Sequence, residues 1–220
     1  MNARNRTRVK ICCMGSIEEA NMAIAAGADA IGLVSAMPSG PGPIDESLIC
    51  EIADYVPRSV GTFLLTSLTS ADEIVAQHGR CLTSTIQLVD RVEDGAHQAL
   101  RRALPGVRLV QVIHVTDDES ITEARSVAPL VDGILLDSGN PKLAIKELGG
   151  TGRTHNWALS AKIVEAVDVP VFLAGGLRAE NVRQAIEQVR PYGVDVCSGV
   201  RTNGKLDAIK LNAFMRAVVT

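Results

Sequence analysis

Eight times along this chain a short apolar run is followed by a segment whose apolar residues recur at three- and four-residue spacing. The runs are Val9–Cys12, Ala30–Val34, Val60–Leu65, Thr85–Val89, Leu109–Ile113, Gly133–Asp137, Val171–Ala174 and Val194–Cys197. Runs of this length, bounded by turn residues, read as strands buried on both faces. The segments between them read as helices. Ser16, with Glu19 three residues on, has a capping-box pattern and opens a helix that Gly27 stops. Asp45 caps the next, whose inner face carries Leu48, Ile49, Ile52 and Ala53. Ala71–His78 is the third, and Ala96, Ala99, Leu100 and Ala103 mark the fourth. Ile121, Ala124 and Ala128 mark the fifth. A sixth follows the long loop Ser138–His155, and Val182, Ala185, Ile186 and Val189 make one face of the seventh. Leu211, Phe214, Met215 and Val218 close the chain as the eighth, after a short turn at Asn203-Gly204.

Strand alternating with helix requires a parallel sheet. Eight units in 220 residues average about 27 residues each, which fits a closed (β/α)8 TIM barrel, with residues 1–220 as one domain. An open doubly wound sheet would want a glycine-rich turn after the first strand, and Cys12-Cys13-Met14-Gly15 is a poor one. A composition 46% hydrophobic and 21% charged, with formal net charge −3, supports one sizeable core. No basic cluster stands out and aromatics are 3% of residues, so nucleic acid is not expected as a partner. No apolar run is long enough to span a bilayer or to form a secretory signal core, so no membrane partner is expected. Five cysteines without regular spacing point to reduced thiols and a cytoplasmic location. Oligomeric state is not legible in the outer helix faces.

Function in a barrel belongs at the C-terminal strand ends. Strands seven and eight end in Gly175-Gly176 and Ser198-Gly199. Small residues there let backbone N–H groups converge on a phosphate dianion. Among the remaining strand ends, Cys12 and Asp137 stand out. Facing each other across a bound sugar phosphate, a thiol and a carboxyl can serve as base and acid. On spacing alone each has a commoner structural reading, a buried thiol as a small hydrophobe and an aspartate as a helix cap. Strand parity puts Lys10 on the same side as Cys12 and Asp195 on the same side as Cys197. Strands one and eight are neighbours in a closed barrel, so a buried Lys10–Asp195 ion pair is expected, with a structural role.

Other signals are weaker. His78, His97, His114 and His155 have no ligand spacing, and no Cys-x-x-Cys occurs, so no metal is expected. No lysine ends a strand except Lys10, two residues too deep, which counts against a Schiff-base aldolase. Cys12-Cys13 reads as one inward and one outward thiol rather than a vicinal disulfide. Gly149-Gly150-Thr151-Gly152, after strand six, reads as a flexible loop or as a phosphate or lid segment, with Gly150 and Gly152 as candidate phosphate contacts.

With those residues in place, the chain resembles the phosphoribosylanthranilate isomerases of tryptophan biosynthesis. The likeness rests on VKIC at Val9–Cys12, AGADAIGLV at Ala26–Val34, LLDS at Leu135–Ser138, GGTG with Trp157 following, AGGL at Ala174–Leu177 with Asn181-Val182, and GVDVCSGV at Gly193–Val200. Their order and joint spacing are far more specific than any one of them. The resemblance implies an intramolecular aldose–ketose isomerisation, the Amadori rearrangement of an N-phosphoribosyl aryl amine to a 1-deoxyketose. It implies Cys12 as the base at the sugar C2 proton and Asp137 as the acid that opens the furanose. It implies Gly175, Gly176, Ser198 and Gly199 as the phosphate site, and neither cofactor nor metal.

The chain departs from the family pattern at the other end of the substrate. Cys13 stands where the family has glycine. Pro38–Pro43 holds no arginine where the family meets the anthranilate carboxylate. Gln87-Leu88-Val89-Asp90 lacks the histidine of Gln-Leu-His-Gly. His155-Asn156 replaces phenylalanine and aspartate, His114 replaces the arginine ending strand five, and Arg201 replaces a glutamate. His114 and Arg201 are the candidate aglycone contacts. Three readings remain open: the isomerase itself, a relative acting on another phosphorylated sugar, and a non-catalytic sugar-phosphate binder.

Overall fold

The protein is described here by a computed structural model, which describes residues 6–139 and 154–219. Strands β1 (Arg8–Ile11), β2 (Ala30–Val34), β3 (Gly61–Thr66), β4 (Thr85–Leu88), β5 (Arg108–His114), β6 (Gly133–Asp137), β7 (Val171–Leu173) and β8 (Gly193–Val196) are hydrogen-bonded in sequence order, and β8 pairs back to β1. All pairings are parallel and the barrel is closed. Helices α1 (Ile17–Ala25), α2 (Glu46–Tyr55), α3 (Ala71–Cys81), α4 (Ala96–Ala103), α5 (Glu119–Val127), α6 (Trp157–Ala166), α7 (Val182–Val189) and α8 (Ala208–Val219) follow the strands in turn. Among the described residues no helix is long and apolar enough to cross a membrane.

The alternation of side chains along each strand divides the apolar residues into two layers. Ile31, Leu33, Leu64, Ile86, Leu109, Ile113, Ile134 and Leu136 pack outward against Ile49, Ile52, Leu100, Ile163 and Phe214 of the helices. A second cluster fills the barrel: Ala30, Val34, Phe63, Leu65, Val110, Val112, Leu135, Phe172 and Ala174, with Cys12 and Cys13 at its upper end. Every residue of β2 and β6 is buried, as strands covered on both faces must be.

Strand, helix and turn boundaries follow local chemistry. Ser16 accepts the Glu19 N–H at 3.3 Å, the expected half of the capping box. The Glu19 carboxylate instead accepts the Gly15 N–H at 3.0 Å, because Arg201 and the Leu206 N–H also draw it away from Ser16. Asp45 stands at the N-cap of α2 without a side-chain cap bond. Helix α3 runs three residues past His78, through Gly79, and ends where Leu82 turns left-handed at φ 54°. The turn at Asn203-Gly204 has strands on both sides, Arg201–Thr202 and Lys205–Leu206. Both turn residues have positive φ, the twist that matches a tight hairpin and the reason Asn-Gly is favoured there.

The expected ion pair is present at the closing seam. Lys10 and Asp195 are register partners between β1 and β8, and their charged groups lie 2.9 Å apart. The Lys10 side chain is fully buried, with its ammonium 5.2 Å from the Phe63 ring centroid. Burial opposes the charge on Lys10, but Asp195 and the sulfurs of Cys12 and Cys13 outweigh it and hold the ammonium above its ordinary pKa. Removing one partner strands a buried charge, which costs about 3–5 kcal/mol. Lys10→Met is therefore expected to lose about that much stability in urea unfolding, and Lys10→Met with Asp195→Leu to lose clearly less than Lys10→Met alone.

Candidate active site

A small cleft of about 70 Å³ opens at the C-terminal ends of the strands. Cys12, Cys13, Gln87, Asp137, Gly175, Gly176, Asp195, Cys197 and Ser198 supply much of its lining, and Val34, Met37, Pro41 and Leu65 give it an apolar wall. Cys12 and Asp137 thus share one cavity. Strand β1 stops at Ile11, so Cys12 is the first residue past the strand; its N–H still donates to the Val196 carbonyl at 2.8 Å. Its sulfur lies over Gly32, where an added Cβ would sit 2.6 Å from it and 3.1 Å from the Lys10 ammonium. Gly32 is thus the space into which the thiol and the ammonium both fit.

Asp137 ends β6 and accepts the Ser138 N–H at 2.7 Å. Burial raises its pKa against the lowering effects of that N–H and of His114, so the carboxyl holds its proton to higher pH than a solvated aspartate does. Across from it, Gly175 and Gly176 turn with φ of 82° and 62°. A Cβ on Gly175 would meet Ser138 Oγ at 3.0 Å, Asp137 Oδ1 at 3.1 Å and His155 Nδ1 at 3.1 Å. The glycine keeps this corner open.

Ser198 lines the cleft at the start of a short 3-10 turn, Ser198–Val200. Gly199 does not line it. Its missing side chain lets the Leu177 carbonyl of the β7 turn pack directly on the β8 turn. Gly150 and Gly152 lie outside the described residues.

Neither candidate aglycone contact faces the cleft. His114 pairs in register with Asp137 at the strand ends, but its ring Nε2 donates to the Val89 carbonyl at 3.1 Å and the ring lines a separate depression between α4 and α5. Arg201 turns its guanidinium onto Glu19 at 3.0 Å, the Gly204 carbonyl at 2.8 Å and the Cys13 carbonyl. Its charge is spent tying the β8 loop to the start of α1.

Two residues at the cleft carry more than their sequence signal showed. Cys13 adopts φ 66°, a left-handed conformation that a non-glycine residue enters at a cost. That turn brings its side chain back to the cleft, so both thiols of the pair face inward and the expected inward–outward alternation fails. The Cys13 and Cys197 sulfurs lie 2.7 Å apart. His155 is the second. Its Nε2 meets Ser160 Oγ at 2.7 Å, and its Nδ1 is buried without a hydrogen-bond partner beside the Asp137 corner. The signal was positional: His155 precedes Trp157, the first residue of the helix after β6. Among the described residues no group of three or more histidine, cysteine, aspartate or glutamate side chains could hold a metal ion.

The sequence model of N-(5'-phosphoribosyl)anthranilate (PRA) isomerase matches residues 9–217. The chain belongs to that family. It is 35% identical over 205 residues to the N-(5'-phosphoribosyl)anthranilate isomerase of Methanocella arvoryzae, covering 93% of this chain and 94% of that one. To the enzyme of the same name from Haloferax volcanii it is 39% identical over 223 residues, covering 97% and 94%. The crystal structure of a phosphoribosyl anthranilate isomerase in complex with reduced 1-(o-carboxyphenylamino)-1-deoxyribulose 5-phosphate superposes with TM-score 0.79 at 26% identity, covering 97% of this chain and 98% of that one. The Pyrococcus furiosus isomerase superposes at 0.81 with 27% identity, covering 97% and 99%.

Three outcomes test this geometry. Gly199→Ala drives a Cβ into the Leu177 carbonyl, and is expected to cost more than about 2 kcal/mol in thermal unfolding. Gly79→Ala, in the exposed interior of α3 with nothing within 4 Å, is expected to be neutral or to stabilise by up to about 1 kcal/mol. Burial lowers the His155 pKa from 6.5 to about 4. A histidine whose folded pKa is depressed takes up its proton first in the unfolded chain, so its contribution is complete above pH 6.5 and is lost as pH falls toward 4. His155→Gln is expected to flatten that part of the stability–pH curve while leaving the curve above neutrality parallel to wild type.

Proposed function

We propose that this member of the family catalyses the isomerisation its relatives are named for, with Cys12 as base and Asp137 as acid. The observation that supports it best is the placement of Cys12 and Asp137 in one cleft with the two small-residue turns, the Asp137 carboxyl having its pKa raised by burial. Asp137 donates its proton to the furanose ring oxygen as the C1–O bond breaks. The amine lone pair forms the C1=N iminium. The Cys12 thiolate then removes the C2 proton, and the electron pair moves into C1=C2 as the iminium nitrogen is neutralised. Tautomerisation of this enolamine gives the C2 ketone and the 1-deoxyketose.

The phosphate is assigned to the β7 and β8 turns, through backbone N–H groups around Gly175, Gly176 and Ser198, with Gly199 setting the spacing between the turns. Gly150 and Gly152 are kept as candidate contacts from the segment after β6. The aryl ring has the apolar wall of Val34, Met37, Pro41 and Leu65. His155, neutral at physiological pH, places its Nδ1 beside the acid. The sugar-phosphate substrate is the one small-molecule partner this scheme requires, with neither cofactor nor metal. Five free cysteines suit a reducing, cytoplasmic setting.

The test is loss of the fluorescence of freshly generated phosphoribosylanthranilate in steady state. Cys12→Ser and Asp137→Asn are each expected to lower kcat about 10²–10⁴-fold. Wild-type kcat is expected to fall as pH rises through the Asp137 pKa, because the acid must be protonated. A folded pKa raised by burial also means a stability contribution that is lost as pH rises, so Asp137→Asn is expected to melt above wild type at pH 7. No turnover by wild type, with ribose phosphates still raising its melting temperature, would move the assignment to a different sugar phosphate or to binding alone.

A further inference from the structure

The reaction above uses Cys12 and leaves two neighbouring sulfurs without a role. Cys13 and Cys197 stand at the ends of β1 and β8, beside the backbone bond from Cys12 N–H to the Val196 carbonyl. Both line the cleft, Cys197 partly exposed and Cys13 buried behind it. Their sulfurs are 2.7 Å apart, about 0.7 Å more than a disulfide bond length. We propose that Cys13 and Cys197 are an oxidation site, which a hydroperoxide converts to a disulfide across the closing seam of the barrel while Cys12 stays a free thiol.

The surroundings divide the labour between the two sulfurs. Contact with the Cys13 sulfur and the charge of the Arg201 guanidinium lower the Cys197 pKa against the opposing effect of burial, and so favour its thiolate. The neighbouring Cys12 and Cys197 side chains, with burial, push the Cys13 thiol well up and hold it as the thiol. Cys197 is therefore the attacking sulfur. Its thiolate takes the terminal oxygen of the hydroperoxide, the O–O bond breaks, and the alcohol leaves with a proton, giving a sulfenic acid. Cys13 then attacks the Cys197 sulfur, the S–O bond breaks, and water leaves with the Cys13 proton. Two thiols and one hydroperoxide become one disulfide, one alcohol and one water. A dithiol reverses it by exchange.

Two constraints keep Cys12 out of the bond. Adjacent Cα atoms are about 3.8 Å apart, below the roughly 4.4–6.8 Å that a disulfide spans, so a Cys12–Cys13 bridge would distort the peptide between them. The Cys12 sulfur also sits in the recess over Gly32, beside Lys10 and within the barrel. The chemistry is independent of the substrate and stands whether or not the isomerase assignment holds.

The experiment treats the full reduced chain with stoichiometric hydrogen peroxide, counts thiols after denaturation, and maps a non-reducing tryptic digest by fragmentation mass spectrometry. The thiol count is expected to fall from five to three and return with dithiothreitol. The cross-link is expected to join peptide 11–58 to peptide 184–201, through Cys13. Cys12→Ser should still form it. Cys13→Gly, which removes a side chain from a positive-φ position and so should fold, is expected to leave a dimedone-reactive sulfenic acid at Cys197. Cys197→Ser should form neither product. A cross-link through Cys12, sulfinic acid at Cys197 with Cys13 present, or no thiol loss would each overturn the proposal.

Discussion

The barrel depends on one seam. β1 and β8 come from opposite ends of the chain, and their pairing brings Arg8 opposite Gly193, Val9 opposite Val194, Lys10 opposite Asp195 and Ile11 opposite Val196. Register in a sheet buried on both faces is strongly specified, because a one-residue slip exchanges every inward side chain for an outward one. A slip here would leave Lys10 and Asp195 with no counter-charge in the barrel, so the pair penalises every register but this one. Its net contribution to stability is small by comparison. What the correct register delivers is adjacency: Cys12 next to Val196, and the small-residue turns after β7 and β8 lining the same cleft as the thiol.

Much of this was legible because period and burial are written locally. β2, β6 and α7 occupy the residues expected of them, since each is bounded by residues that stop it: Gly27-Ala28-Asp29 before β2, Ser138 after β6, Asn181 and the left-handed Arg190 around α7. The Lys10–Asp195 pair was legible too, because parity holds inside a strand and closure makes strands one and eight neighbours. The same parity failed one residue past the strand. Once β1 ended at Ile11, the φ of Cys13 decided where its side chain went, and no periodicity encodes a left-handed residue that is not glycine. His155 and Arg201 were hidden for a related reason. Their partners, Ser160 with the Gly175 corner and Glu19 with the Cys13 carbonyl, are set by how loops from different units meet.

The residues at which the chain departs from the family pattern do not form one replacement site. Arg201 neutralises Glu19 at the start of α1, and the Glu19 carboxylate in turn holds the Leu206 N–H of the hairpin. The charge change after β8 therefore has a structural partner in the chain and adds no free cation to the cleft. His114 likewise spends its Nε2 on the Val89 carbonyl. What they leave is the loop after β2, where Gly42 at φ 85° packs directly on Cys13, since a Cβ there would lie 2.6 Å from that of Cys13. The cysteine that replaces a glycine and the glycine- and proline-rich loop that replaces an arginine-bearing one are thus in contact. Each sets the shape of the other.

That contact explains how the chain tolerates a side chain at a left-handed position. A non-glycine residue there costs about 1–2 kcal/mol, and it persists only where its surroundings hold it. Cys13 is held on three sides: by Gly42 above, by the Arg201 guanidinium on its carbonyl, and by the Cys197 sulfur. A glycine would meet the backbone requirement without the cost, and would remove the sulfur hydrogen-bonded to Cys197. The strain at Cys13 and the thiol pair are therefore one feature of the structure, placed by the same seam that sets Cys12 beside the small-residue turns after β7 and β8.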